Sequence, residues 1–230
     1  MSEPVPVVQC TGVVKDYRSL RPLRLLDLRV DEGARVVISG LDVIAAEVLT
    51  NLLNGYALPD QGEITVFGRP TSAITSGDEW LASLDPFGVV TARAVLLEGM
   101  TVRQNLALPL TIEIDPVPPE RLPQVDALAA EAGIGADWLD RPAHAAPPLV
   151  RMRLHLARAV ALGPRLLILE HPTASLEAAD RPEFASDVAR VTIGRGLTMI
   201  AVSQDREFAR RTDARFLQLH PGTGQVRELT

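Results

Sequence analysis

From Leu149 to the C-terminus, short apolar runs of β type alternate with runs of helical type, and this alternation restricts the fold class more than any other property of the chain. Leu154–Val160 has the spacing of a helix, which Gly163-Pro164 would end. Leu166–Leu169 is a short run with no polar residue, and a second helix is expected near 182–191. Leu197–Val202 reads as the next strand, and a third helix is expected near 205–211. Arg215–Leu219 and Gln225–Leu229 flank Pro221-Gly-Thr-Gly224 as a terminal hairpin. Uniformly apolar strands separated by helices imply a mainly parallel sheet covered on both faces.

The N-terminal half reads differently. Residues Val5–Tyr17 and Arg24–Val30 alternate as short strands, and Asp31-Glu-Gly33 is a turn. Arg35–Ser39 is a buried strand followed by Gly40. A helix comes next, with Val48, Leu49, Leu52 and Leu53 on one face and Gly55 as its terminator. Pro59-Asp-Gln-Gly62 turns into the strand Glu63–Phe67, which Gly68-Arg-Pro70 is expected to end. Residues 104–147 are broken by Pro109, Pro116, Pro118, Pro119 and Pro123, with a short amphipathic helix at Gln124–Ala132. The expected organisation is one domain over 1–230. Its core is about 1–90 and 150–230, and an inserted, mostly helical lobe is about 91–149.

Composition narrows the partners. The 230 residues carry a formal net charge of −6, which argues against non-specific nucleic-acid binding. There are 22 arginines and a single lysine, Lys15. Arginine forms fixed forks to carboxylates, so salt bridges or an acidic partner surface fit, as do arginines on solvated faces. Cys10 is the only cysteine, which suits a reducing compartment. Met1–Pro4 lacks the basic and apolar regions of a signal peptide. No apolar run reaches the roughly 20 residues of a membrane helix, so any membrane contact is expected through a partner. His144, His155 and His220 are scattered without metal-ligand spacing, no metal site is expected, and no Ser/His/Asp or Cys/His arrangement stands out.

Seven landmarks fall in one order along nearly the whole chain, from about residue 7 to 228. They are an aromatic at Tyr17, strand–Gly–helix at 35–55, and Leu58-Pro-Asp-Gln-Gly-Glu-Ile-Thr-Val-Phe-Gly68. Then come Met100-Thr-Val-Arg-Gln-Asn-Leu-Ala-Leu-Pro-Leu110 and Ala157-Arg-Ala-Val160. Leu167-Ile-Leu-Glu-His-Pro-Thr-Ala-Ser-Leu-Glu177 and Ile200-Ala-Val-Ser-Gln-Asp205 close the series. In this order the chain resembles the nucleotide-binding domain of an ATP-binding cassette (ABC) ATPase. The resemblance implies an α/β, P-loop NTPase-like cassette with a mainly parallel core sheet, an antiparallel β subdomain and an inserted helical lobe. It also implies a transport role beside a membrane permease subunit or a second cassette. The place would be the cytoplasm, peripheral to the cytoplasmic face of the inner membrane. The stretch Asn105–Leu110 is similar to cassettes of lipoprotein-release and macrolide-export type.

The residues that would carry the chemistry do not follow the resemblance. A phosphate-binding loop uses glycines to turn successive N–H groups into a nest, with a lysine for charge and a hydroxyl for magnesium. Here it reads Gly40-Leu-Asp-Val-Ile-Ala-Ala-Glu47. By register Ala45 stands for the last glycine, Ala46 for the lysine and Glu47 for the hydroxyl. Val43 and Ile44 are bulky where the family has small residues, and Asp42 and Glu47 add negative charge. Charge-assisted hydrogen bonds are worth roughly 1.5–3 kcal/mol each, so losing several removes about 4–8 kcal/mol, most of a micromolar affinity. The signature that faces a partner's nucleotide would fall at Ala146-Pro-Pro-Leu-Val150, with no hydroxyl or glycine. The Q-loop glutamine would fall near Ala92, the switch histidine at Gln204, the Walker B aspartate at Glu170 and the catalytic glutamate at His171. Tyr17 matches the adenine-stacking aromatic, and Glu177 keeps a D-loop charge.

Three readings remain open from sequence. One is a pseudo-ATPase subunit that binds no cofactor and serves a structural or regulatory role. Another is a divergent but active ATPase, using ATP and Mg with Glu170 and His171. The third is a soluble interaction module that reuses the cassette fold. For the first, Leu96, Leu97 and Met100, apolar beside a loop, are candidates for permease docking or for lobe core.

Overall fold

The computed structural model describes residues 6–229, so Val5 of the expected first strand and the Met1–Pro4 segment lie outside the described residues. β1 (Val8–Lys15), β2 (Leu23–Val30), β4 (Gln61–Val66) and the two-residue β5 (Arg69–Pro70) form an antiparallel sheet in the order β2-β1-β4-β5. The second sheet has the order β10-β9-β3-β8-β7-β6. Its strands are β3 (Arg35–Ser39), β6 (Phe87–Val90), β7 (Leu166–Glu170), β8 (Thr198–Val202), β9 (Arg215–Leu219) and β10 (Val226–Glu228). All neighbours in it are parallel except β10, which returns antiparallel to β9 as the expected hairpin.

The strand period of two divides the core into two hydrophobic faces. Val37, Leu167, Leu169, Met199 and Ala201 point to one side. There they meet α3 (Val102–Ala107), α4 (Leu122–Glu131), α5 (Pro148–Val160), α6 (Arg181–Gly194) and α7 (Arg206–Arg211). Val36, Ile38, Leu166, Ile168, Ile200 and Val202 point to the other, against α1 (Val43–Leu53) and the antiparallel sheet. Each of these strands is therefore buried on both faces, which is why its sequence is apolar without alternation. The register places Ile38 opposite Val202 and Glu170 opposite Val202. The carboxyl ends of β3, β7 and β8 thus share one edge, where ligand sites of open α/β sheets form.

Three local features differ from expectation. Gly68-Arg-Pro70 does not simply end β4; Gly68, at φ +78°, turns the chain so that Arg69 and Pro70 return alongside Val66 and Thr65. Phe87–Val90 is an edge strand of the core sheet, and α2 (Gly77–Ser83) precedes it; neither has a distinct apolar period. The helix after Gly40 begins at Val43, four residues before the expected loop ends.

Candidate functional site

The turn between β3 and α1 is only Gly40-Leu-Asp42. Asp42 is the N-cap: its side chain accepts the Ala45 N–H at 2.8 Å and its carbonyl accepts the Ala46 N–H at 2.9 Å. A phosphate nest needs such amides free and converging; here the chain's own carboxylate and carbonyl consume them. Val43 and Ile44 form the first helical turn and face solvent, while Ala45 and Ala46 are buried against the second core face. Gly40, at φ +95°, has a packing reason to be glycine, because a Cβ there would lie 2.2 Å from the Leu219 carbonyl oxygen on β9.

Glu170 ends β7 and is 6% exposed. Its carboxylate does not stand open. Arg93 reaches across from the segment after β6, and its Nη2 donates to both Glu170 oxygens at 2.8 and 2.7 Å. The same guanidinium pairs through Nη1 with Glu47 on α1. Its Nε donates to Thr91 Oγ1 at 3.2 Å. By register the Q-loop glutamine falls near Ala92, and from sequence Glu47 counts as added negative charge at the phosphate loop. That picture is corrected: the neighbouring Arg93 brings a cation between the two carboxylates. The bridge spans 77 residues, so no local pattern announces it.

His171 follows Glu170 with φ +46°, a region that non-glycine residues seldom enter. Its N–H donates to the Val202 carbonyl at 2.8 Å, and its buried Nε2 has no hydrogen-bond partner among the described residues. Gln204 is exposed just past β8. Its neighbours do the local work: the Asp205 side chain accepts from the Thr173 hydroxyl and the Phe208 N–H, capping α7. Glu177 is exposed. At the expected signature position α5 starts with Pro147 as cap and Pro148 as first residue, with no side-chain cap. Tyr17 packs half-buried against the second core face and lines a cleft of about 380 Å³ with Arg21, Arg24, Gly40, Asp42 and Ala45.

The docking candidates separate. Leu96 is 5% exposed and belongs to the first core face, so it offers no surface. Leu97 is exposed and Met100 half-buried, and both have backbone groups near Asn105, whose side chain holds the segment. A more open groove of about 590 Å³ lies between α1, α2 and β6, lined by Glu47, Tyr56, Trp80, Leu84, Phe87 and Val89 among others. Tyr56 and Trp80 pack there with ring centroids 5.7 Å apart and planes tilted by 54°, and Tyr56 is mostly exposed. Sequence reasoning did not find this groove, because α2 and β6 were not recognised. Among the described residues, no helix is long and apolar enough to cross a membrane, and no group of three or more His, Cys, Asp or Glu residues is placed to hold a metal ion.

Comparison with known proteins gives one direction. The ABC transporter family matches residues 23–174. The ABC transporter ATP-binding protein YtrE of Bacillus subtilis is 27% identical over 203 residues, covering 87% of this chain and 85% of YtrE. The lipoprotein-releasing system ATP-binding protein LolD of Pseudomonas fluorescens is 28% identical, covering 94% of this chain and 96% of LolD. Among solved structures, the dimeric post-hydrolysis state of the ATP-binding cassette MJ0796, bound to ADP and Pi, superposes with a TM-score of 0.77 at 20% identity. That superposition covers 97% of this chain and 99% of MJ0796, and it bears on the fold.

Proposed function

The chain belongs to the ABC transporter family of ATP-binding cassettes, and from that premise we propose that it is a cassette subunit that holds a transporter assembly together without turning over ATP. The observation that carries this reading is the state of the α1 N-terminus. The amides of Ala45 and Ala46 are already bonded to Asp42, and no lysine follows, since Lys15 is the only one in the chain. Seating a triphosphate would require Asp42 to release the helix and two negative groups to approach each other. Magnesium would have to displace Arg93 from both Glu47 and Glu170. The residues present do not fit Mg-ATP.

The role that remains is docking. The partner in this reading is a membrane permease subunit, a second cassette, or both. The permease contact is the groove of Tyr56, Trp80, Leu84, Phe87 and Val89, where aromatic side chains stand half-exposed beside a sheet edge. This replaces the sequence-based choice of Leu96, Leu97 and Met100.

A titration of the whole chain with a fluorescent ATP analogue and magnesium tests the reading. The expected result is no saturation up to about 1 mM, which corresponds to binding weaker than about −4 kcal/mol. A dissociation constant in the low micromolar range overturns it and favours the active-ATPase reading. Affinity purification from detergent-solubilised membranes tests the partner. A permease that co-purifies, and is lost with Trp80→Ala, supports docking; exclusively soluble partners favour an interaction module.

A further inference from the structure

Residues 91–101 leave the core at β6 and enter the helical lobe, and both ends of this segment are held by side chains. On the lobe side, Asn105 accepts from the Leu97 N–H at 2.8 Å and donates to the carbonyls of Leu97 and Thr101, both at 3.0 Å. Arg158 donates to the Val95 carbonyl at 2.8 Å. Glu98 pairs bidentately with Arg151, and the Ala143 N–H donates to the Met100 carbonyl. On the core side the segment has one strong anchor, Arg93, whose guanidinium spans Glu47 on α1 and Glu170 on β7.

The placement of that anchor is informative. Glu47 lines the aromatic groove between α1, α2 and β6. Arg93 lines a different cleft of about 540 Å³, together with Glu98, Arg151, His155 and Ser175. One guanidinium therefore joins the walls of two clefts on either side of β6. It also pairs with a carboxylate that is almost fully removed from water, where a charge left without a partner is costly. One nitrogen, Nη2, serves both Glu170 oxygens while Nη1 serves Glu47, so the planar guanidinium is oriented by two carboxylates on different elements. The covalently attached cation cannot diffuse away, so its occupancy does not depend on any solute.

We propose that Arg93 is a built-in counter-cation that pins the 91–101 segment to the core, giving this cassette one fixed setting of the joint between core and lobe instead of a setting controlled by a bound ion. Arg93 is a positioning residue in this account, acting through Glu47 and Glu170. The clamp goes beyond the docking reading and stands on its own contacts. It makes that reading more specific: the docking groove and the α5 cleft would move as one body.

Amide hydrogen exchange on the full chain tests it. In the wild type, protection of residues 91–101 is expected to be the same in EDTA and in millimolar Mg²⁺. Arg93→Ala is expected to raise exchange there at least tenfold through local opening, with β3, β7 and β8 still exchanging more slowly than the segment, at the rate set by the variant's global stability. If the bare Glu170 prevents that variant from folding, Arg93→Ala/Glu170→Gln removes the stranded charge and is expected to show the same fast exchange in the segment. Wild-type exchange rates in the segment of either folded variant overturn the clamp, as does a Mg²⁺-dependent change in wild-type protection. Failure of the docking reading would appear elsewhere, as nucleotide saturation in the titration or loss of the permease, and leaves these exchange outcomes intact.

Discussion

At the scale of single residues, charge placement decides the character of the site. The Glu170 side chain is 5% exposed while that of Arg93 is 42% exposed, so the pair is asymmetric. Arg93→Ala therefore leaves a buried carboxylate behind and is expected to cost about 3 kcal/mol in urea denaturation. Adding Glu170→Gln should recover part of that loss, since a neutral amide tolerates the position better. A double-mutant cycle gives the coupling directly, and an energy near zero would show that the bridge is incidental. Cys10 follows the opposite logic, because nothing charged supports its thiolate. Burial first, and the charge of Asp27 second, push its thiol up to about 12. Iodoacetamide at neutral pH is expected to leave Cys10 unmodified in the native protein and to label it fully in denaturant, whereas labelling at a free-thiol rate without denaturant contradicts this burial.

At the scale of elements, helix α1 shows what was legible in the sequence and what was not. Its apolar face and its Gly55 terminator follow from spacing and backbone freedom, and the helix ends there, with Gly55 at φ +74°. Its start does not follow. Reading Gly40–Glu47 as a loop assumes that the family's backbone survives the family's lost residues. Asp42 instead caps a helix that begins at Val43, because an Asx side chain satisfies the Ala45 amide more cheaply than solvent does. Asp42→Ala is expected to lower stability by about 1 kcal/mol in thermal denaturation without creating ATP affinity; a gain of affinity would mean that the cap alone blocks the site. The strands β3, β7 and β8 were plain in the sequence because both of their faces are buried, which writes an unbroken apolar run. β6 was hidden for the converse reason. It is a short edge strand after Pro86, and its Gly88 is needed where α5 comes close, since a Cβ there would lie 2.4 Å from the Ala159 carbonyl. Missing β6 and α2 also meant missing the groove they build, so the sequence offered docking candidates only in the segment after β6.

At the scale of the whole molecule, α5 ties the edge of the core sheet to the helices that cover its first face. It packs against β6 on one side and against α3, α4 and α6 on the others. A charge forced into this helix therefore strains the whole fold and not one surface. His155 is the group that would bring it. Burial, then the neighbouring Arg158 and Arg151 cations, hold its imidazole down to about 4, against the smaller opposing pull of Glu98. In the unfolded chain the imidazole takes a proton near its ordinary value of 6.5. Between those two values the unfolded state binds more protons than the native state, so stability falls as pH drops from 6.5 towards 4. The full span is worth about 3 kcal/mol as an upper figure. Glu98, Glu79 and Asp60 are held below their ordinary values by hydrogen bonds to neighbouring groups, and they also lose stabilisation on acidification. The carboxylates act below their own ordinary values of 4.5 and 3.8, which separates most of their effect from the histidine window. His155→Gln isolates the histidine contribution: the stability gap between wild type and variant, measured by urea denaturation, should narrow or reverse between pH 6.5 and pH 4.5. A gap that stays constant across that interval would mean that the α5 site admits a protonated imidazole without penalty, and that acid acts on this protein only through its carboxylates.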